Sequence, residues 1–240
     1  MAERFLILSI ETATGCGSVA LTRGDVDEGR VLAEATAQPE ITHSRQLLGS
    51  VDWVMRSAGI TWQDIDGIAV SLGPGSFTGL RIGMAAAKGM VLATGVPMLG
   101  VPTFDAIALS CPLIDRPLWC LLDARKQEVY AACYLPGRGG RPVQHGDPVA
   151  VRPELLVEQI DEPALFAGPG VDAYKEIFAS RSGNVLLPAA LSSPRAARTG
   201  FLAAAQLAAG NILNPATAVP LYVRASDAEI NLRIKKQEQQ

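Results

Sequence analysis

Gly73-Pro74-Gly75-Ser76-Phe77-Thr78-Gly79-Leu80-Arg81-Ile82-Gly83 joins an apolar run, Asp66–Leu72, to a stretch of helical periodicity that extends from about Leu80 to Thr94. The apolar run reads as a buried strand, and the glycines and proline as a tight loop. Gly95 and then Pro97 stop the helix. Small residues recur in it at Gly79, Gly83 and Ala87, one per four positions. Such a stripe lets a neighbouring backbone come close. Leu80, Ile82, Met84, Met90, Val91 and Leu92 add apolar residues on more than one face. A helix apolar nearly all round is either buried on all sides or part of an interface.

The loop itself invites two catalytic readings, and both fail. A phosphate-binding loop ends in Gly-Lys-Ser/Thr, whereas Gly79-Leu80-Arg81 stands here. A nucleophile elbow needs glycine two residues either side of the serine, and Ser76 has Pro74 and Thr78 there. Two readings stay open: Ser76 or Thr78 capping the helix, or an anion held on the exposed amides of the helix start.

Upstream, Phe5–Ile10 reads as a strand, Glu11 to Gly17 as a turn, and Ser18–Thr22 and Arg30–Ala37 as two further strands. Thr42 or Ser44 caps a helix carrying Leu47, Leu48, Val51, Val54 and Met55, which Gly59 ends. Downstream come a strand at Met98–Val101, a short helix at Phe104–Leu109 and a crossover at Pro112–Pro117. The opening pattern then recurs: apolar Leu118–Leu122, Asp123, a turn over Ala124–Glu128, and the strand Val129–Leu135. Glu11 and Asp123 each follow a first strand, 112 positions apart, which suggests two similar halves. Gly137-Arg138-Gly139-Gly140 is a hairpin tip. Helices are expected at Pro153–Ile160 and Ala173–Ser180 around the strand Ala164–Ala167, with an alanine-rich helix at Ala196–Gly210. Val219–Val223 reads as a last extended piece and Arg233–Gln240 as a polar tail.

Composition narrows the classes. The 240 residues are 48% apolar and 19% charged, a folded rather than disordered balance. Twenty-one basic against 24 acidic residues leave −3, so no global positive field draws the chain onto nucleic acid. Aromatics at 5% leave little for a base-stacking surface. No apolar run approaches the ~18 residues of a bilayer span, and Met1–Phe5 lacks the pattern of a secretory signal. A cytoplasmic protein is the expectation. Cys16, Cys111, Cys120 and Cys133 are widely spaced without a CxxC, as for reduced thiols. Two histidines, His43 and His145, exclude a mechanism built on a local histidine pair.

Single residues carry weaker signals. Glu11 could anchor a hydrated metal, with Thr12 and Thr14 turned toward phosphate, or simply cap nearby amides. Arg125 and Lys126 could neutralise an anion, or pair with Glu128, or lie in solvent. His43 reads as a base or as a capping residue. No Ser/His/Asp set, metal-ligand cluster or committed carboxylate pair emerges.

Several of these segments together resemble the TsaB family, the partner subunit of the bacterial machinery that makes threonylcarbamoyladenosine in tRNA. They are Ile7-Leu8-Ser9-Ile10-Glu11-Thr12-Ala13 with Ser18-Val19-Ala20-Leu21, His43-Ser44-Arg45-Gln46-Leu47-Leu48, Gly73–Gly83 continuing to Ala87-Lys88-Gly89, Leu122-Asp123-Ala124-Arg125 with Glu128-Val129-Tyr130, and Pro220-Leu221-Tyr222-Val223-Arg224. The resemblance implies an actin-like, two-domain α/β fold of the sugar kinase and Hsp70 type, each half a mixed sheet with flanking helices. Residues 1–104 would form the N-terminal domain, 105–225 the C-terminal one, and 226–240 a polar tail.

It also implies a scaffold with no catalytic residues, metal or cofactor of its own. The relative TsaD transfers the threonylcarbamoyl group to the adenosine beside the anticodon. TsaD holds its metal with a histidine pair on a short helix. The matching stretch here, Val101–Leu109, has no histidine. By resemblance, the helices at His43–Ala58 and Gly79–Thr94 bind TsaD in a four-helix bundle, or a second copy of this chain when TsaD is absent. The residues implied at that interface are His43, Arg45, Leu48, Asp52, Gly79, Arg81, Ile82, Gly83, Ala86, Ala87 and Met90. The small-residue stripe would then pack across the subunit boundary, and a large charge at Gly83 or Ala87 would break the complex while leaving the chain folded. The ATPase TsaE would dock near this junction, with tRNA engaged indirectly and no membrane. Glu11, Thr12, Ser76, Thr78 and Arg125 would be the contacts of any anion or nucleotide. An actin-like ATPase or small-molecule kinase, with nucleotide between the halves, is the competing reading. A peptidase acting through Ser76 or His43 is the third, and the family's glycoprotease label finds no support in these residues.

Overall fold

The structure, a computed structural model, describes residues 5–37 and 43–223; for residues 43–45 it describes the backbone alone. Thr42, the tail Arg233–Gln240 and the side chains of His43, Ser44 and Arg45 lie outside the described residues. The first sheet has the order β3-β2-β1-β4-β5. It consists of β1 (Leu6–Glu11), β2 (Gly17–Arg23), β3 (Arg30–Ala37), β4 (Gly67–Gly73) and β5 (Met98–Pro102). The three opening strands form an antiparallel meander, and β4 and β5 extend β1 in parallel.

Every residue of β1 is buried, because helices cover both faces of the sheet. Strands covered on both sides read as continuous apolar runs. Leu6, Leu8 and Ile10 join one core with Leu47, Val51 and Val54 of α1 (His43–Ala58) and Met84, Ala87 and Val91 of α2 (Phe77–Thr94). Ile7 points the other way, into a core with Ala203 and Ala204 of α8 (Ala196–Ala208). That alternation is the period of two along a strand. α2 begins one turn before the expected Leu80, because Ser76 Oγ accepts the Gly79 N–H at 3.3 Å and caps it. Gly95 ends it in the left-handed conformation.

α3 (Thr103–Ala108) leads to a second sheet, ordered β10-β9-β6-β7-β8. Its strands are β6 (Leu118–Arg125), β7 (Glu128–Pro136), β8 (Pro142–Val151), β9 (Leu165–Ala167) and β10 (Val185–Leu186). The pattern repeats that of the first sheet, with β6 in the place of β1, and two mixed sheets with flanking helices make the actin-like architecture. Around these strands lie α4 (Pro153–Glu158), α5 (Gly170–Ala173), α6 (Lys175–Ala179) and α7 (Ala189–Ser192).

Four expectations change. The ten residues of β8 are a strand that its Gly146 and Pro148, both turn-forming residues, concealed between three scattered valines. The helix expected at Ala173–Ser180 is two short ones, broken at Tyr174, whose backbone is non-helical. Val219–Val223 joins neither sheet, although the Leu221 N–H donates to the Leu72 carbonyl at 2.7 Å. Finally, α8 follows the second sheet in the chain but lies on the first. Alanines and Gly200 let it sit close against β1 and β2. Its first amides are capped from other strands: Ala196 N–H donates to Ser18 Oγ (2.8 Å) and Ala197 N–H to the Glu34 carboxylate (3.1 Å). Such long-range capping satisfies helix-start donors that no local residue meets. Among the described residues no helix is long and apolar enough to cross a membrane.

Candidate functional site

α1 and α2 lie side by side on the first sheet, and their buried faces are accounted for within the chain. On α1 these are Leu47, Val51, Val54 and Met55; on α2 they are Gly79, Leu80, Gly83, Met84, Ala87 and Val91. This corrects the reading of the small-residue stripe. Gly79, Gly83 and Ala87 face inward, not toward a partner. A methyl group at Gly79 would overlap the Thr12 carbonyl oxygen, and one at Gly83 would overlap the Thr12 hydroxyl. The stripe exists because the end of β1 presses against the helix. Ile82, Ala86 and Met90 are half-buried against the same core.

What remains outward is a different set. Leu48 of α1 is 62% exposed and Leu92 of α2 is 88% exposed, on neighbouring helices. Trp53 is 51% exposed on α1. Asp52 is exposed and ion-paired with Arg56, one turn on. Arg81 is exposed as well; its guanidinium lies 3.7 Å from the centre of the Phe77 ring, and its Nε donates to Tyr222 Oη at 3.3 Å. Sequence reasoning missed Leu92 and Trp53 as surface residues. The signal for Leu92 was there: it sits on the face opposite the glycines of a helix apolar all round.

The glycine loop is closed on its own chain. Ser76 N–H donates to the Ala13 carbonyl at 2.6 Å, and Leu80 N–H to the Ser76 carbonyl at 2.9 Å. Gly79 N–H is on Ser76 Oγ, and the Leu80 bond is the first of the helix's own i to i−4 ladder. Ser76 is thus a helix cap. Thr78 is exposed at the helix start.

Glu11 and Thr12 point to opposite sides of the sheet. Thr12 is buried under α2, its N–H 3.4 Å from Ser71 Oγ. Glu11 is fully buried on the α8 side, at the last position of β1. Its Oε1 accepts the Ala13 N–H at 2.7 Å, as the capping reading expects, while its Oε2 has no hydrogen-bond partner among the described residues. Burial pushes its pKa up to about 7, against the smaller opposing pull of the Ala13 amide, Ser71 and the Thr12 amide. Arg125 is exposed at the β6–β7 turn, where it, Lys126 and Gln127 all take positive φ and its N–H donates to the Asp123 carboxylate at 2.8 Å. That turn uses an Asp side chain where glycines were expected of a phosphate cradle. No group of three His, Cys, Asp or Glu side chains among the described residues stands close enough to hold a metal ion.

The chain resembles known proteins over most of its length. The family model described as "TsaD: tRNA N6-adenosine threonylcarbamoyltransferase" matches residues 30–232. The tRNA threonylcarbamoyladenosine biosynthesis protein TsaB of Escherichia coli is 34% identical over 196 residues, covering 77% of this chain and 82% of that protein. The Bacillus subtilis protein of the same name is 28% identical over 227 residues, covering 93% and 96%. The solved structure of YeaZ from Pseudomonas aeruginosa superposes with a TM-score of 0.76 at 29% identity, covering 91% of this chain and 99% of that one.

Proposed function

The chain belongs to the TsaB family of tRNA threonylcarbamoyladenosine biosynthesis proteins, and on that premise we propose that it is a non-catalytic scaffold of that modification. It binds and stabilises TsaD through the outward faces of α1 and α2, and the assembled pair recruits the ATPase TsaE. Without TsaD, two copies associate through the same surface, and tRNA is engaged through the complex. One observation carries this reading: Leu48 and Leu92 stand exposed on adjacent helices whose inner faces are fully used by the chain's own core. A partner that covers both would take from water apolar surface that the chain's own core leaves exposed. A partner that binds only one conformation of TsaD shifts TsaD toward it by mass action.

Leu48→Asp combined with Leu92→Asp is the direct test. The variant keeps the circular dichroism and urea midpoint of the parent, because both positions are exposed. Its affinity for TsaD, measured by titration calorimetry, falls at least about 30-fold, the scale of losing one interface hot spot of roughly 2 kcal/mol. Unchanged affinity would remove this surface from the reading. A reconstituted modification assay omitting one component at a time then tests the scaffold role: product requires this chain, and this chain alone with ATP and magnesium turns nothing over.

A further inference from the structure

Glu11 belongs neither to the outward face of α1 and α2 nor to any cluster of acids, yet it is a fully buried carboxyl with one oxygen unpartnered. Buried polar groups nearly always find partners, so an exception asks for a reason. The other oxygen starts a chain of contacts that ends in the interface helix. Glu11 Oε1 accepts from Ala13 N–H; the Ala13 carbonyl accepts from Ser76 N–H; Ser76 Oγ accepts from Gly79 N–H in the first turn of α2. The Thr12 carbonyl and hydroxyl, between the first two links, lie against Gly79 and Gly83. The seat of α2 is thus built directly on the residue pair that follows Glu11.

We propose that Glu11 is a proton-operated latch beneath α2: with a neutral carboxyl the first turn of the helix is locked onto Thr12 and Ala13, and with an ionised one the seat loosens as water is drawn to Oε2. A neutral carboxyl tolerates an unpartnered oxygen at modest cost, whereas a carboxylate in the same place pays a much larger desolvation penalty. The pKa of about 7 puts the change within the neutral range. Few charges nearby interfere. From β4 the neighbour is Ser71, and from β2 it is Ser18, both neutral. Cys16 in the turn after β1 has a thiol raised first by burial, with Glu11 among the lesser causes. Near Cys16, Glu34 of β3 and Arg195 before α8 neutralise each other in a 2.6 Å ion pair, and Arg198 of α8 is held by the Ser193 and Leu191 carbonyls. The inference concerns the isolated chain and stands apart from the partner reading.

Hydrogen exchange of the full chain, followed by mass spectrometry of peptides covering residues 74–82, tests it. After correction for intrinsic exchange, protection in the first turn of α2 falls about tenfold between roughly pH 6 and pH 8.5 in the parent. Glu11→Gln keeps the same protection at both pH values. Ser71→Ala, which removes a group favouring the carboxylate, moves the midpoint of the parent's change to higher pH and serves if the first variant does not fold. Protection independent of pH in the parent, or an undiminished fall in Glu11→Gln, overturns the latch; so does an unmoved midpoint in Ser71→Ala.

Discussion

Gly79→Ala lowers the stability of the isolated chain by about 3 kcal/mol, the upper end for forcing extra volume into a packed site. The added methyl meets the Thr12 carbonyl oxygen, a backbone atom that cannot rotate away. Thr12 in turn is tied to Ser71, so relief needs a shift of β1 against β4. A large charge at Gly83 is worse, since it adds an unpaired buried ion to the clash with the Thr12 hydroxyl. Such a variant does not fold, and its loss of TsaD binding would say nothing about an interface. Gly89, in the same helix, is the control: it is exposed with open space around its Cα. Gly89→Ala should raise stability by about 0.5–1 kcal/mol, the ordinary helix preference for alanine. Urea unfolding of the three variants measures all of this. A Gly79→Ala protein as stable as the parent, or a folded Gly83→Arg protein that fails to bind TsaD, would return the stripe to the outside of the molecule.

Glu11→Gln makes the chain more stable above neutral pH by about 3 kcal/mol and changes little at pH 5. The sign follows from the direction of the shift. The folded carboxyl titrates near 7, above its ordinary 4.5, so the folded state binds the proton more tightly. The associated stability is fully present below about 4.5, and it is lost as pH rises through about 7. The size follows from the distance between 4.5 and about 7 at about 1.36 kcal/mol for each tenfold gain in proton affinity. Urea midpoints at about pH 5, 6, 7 and 8 give the profile. A parent whose stability does not fall across that range, or a glutamine variant that falls equally, removes Glu11 as the cause.

Both results turn on a short stretch at the end of β1 that the sequence describes only in part. Phe5–Ile10 announces itself as a buried strand because both faces are apolar, and Gly73–Gly83 announces a tight strand-to-helix connection because glycines and a proline fall between an apolar run and a helical period. The end of α1 before Gly59, the extent of β3 and the left-handed stop at Gly95 follow from local periodicity and glycine punctuation. The 112-residue recurrence of the first strand corresponds to two sheets of the same strand order. These features are legible because each rests on residues close together in the chain.

Others are not. β8 carries Gly146 and Pro148, which read as turn residues, between its scattered valines. α8 looks like any alanine-rich helix, and what fastens it to the first sheet rather than the second lies more than 160 positions away: Ser18 and Glu34 cap it, Ser9 donates to its first carbonyl, and Ile7 packs on its alanines. Glu11 reads as a polar turn residue until the strands and helices around it remove the water.

The chain's own letters determined its family, its strand–helix grammar and the presence of a helix apolar on too many sides, since these depend on residue type and short-range spacing. Only the folded arrangement decided which side of that helix is spare. A glycine stripe and an exposed leucine carry the same meaning in one dimension, and they separate only when Thr12 is seen to occupy one face while Leu92 on the other stands exposed among the described residues.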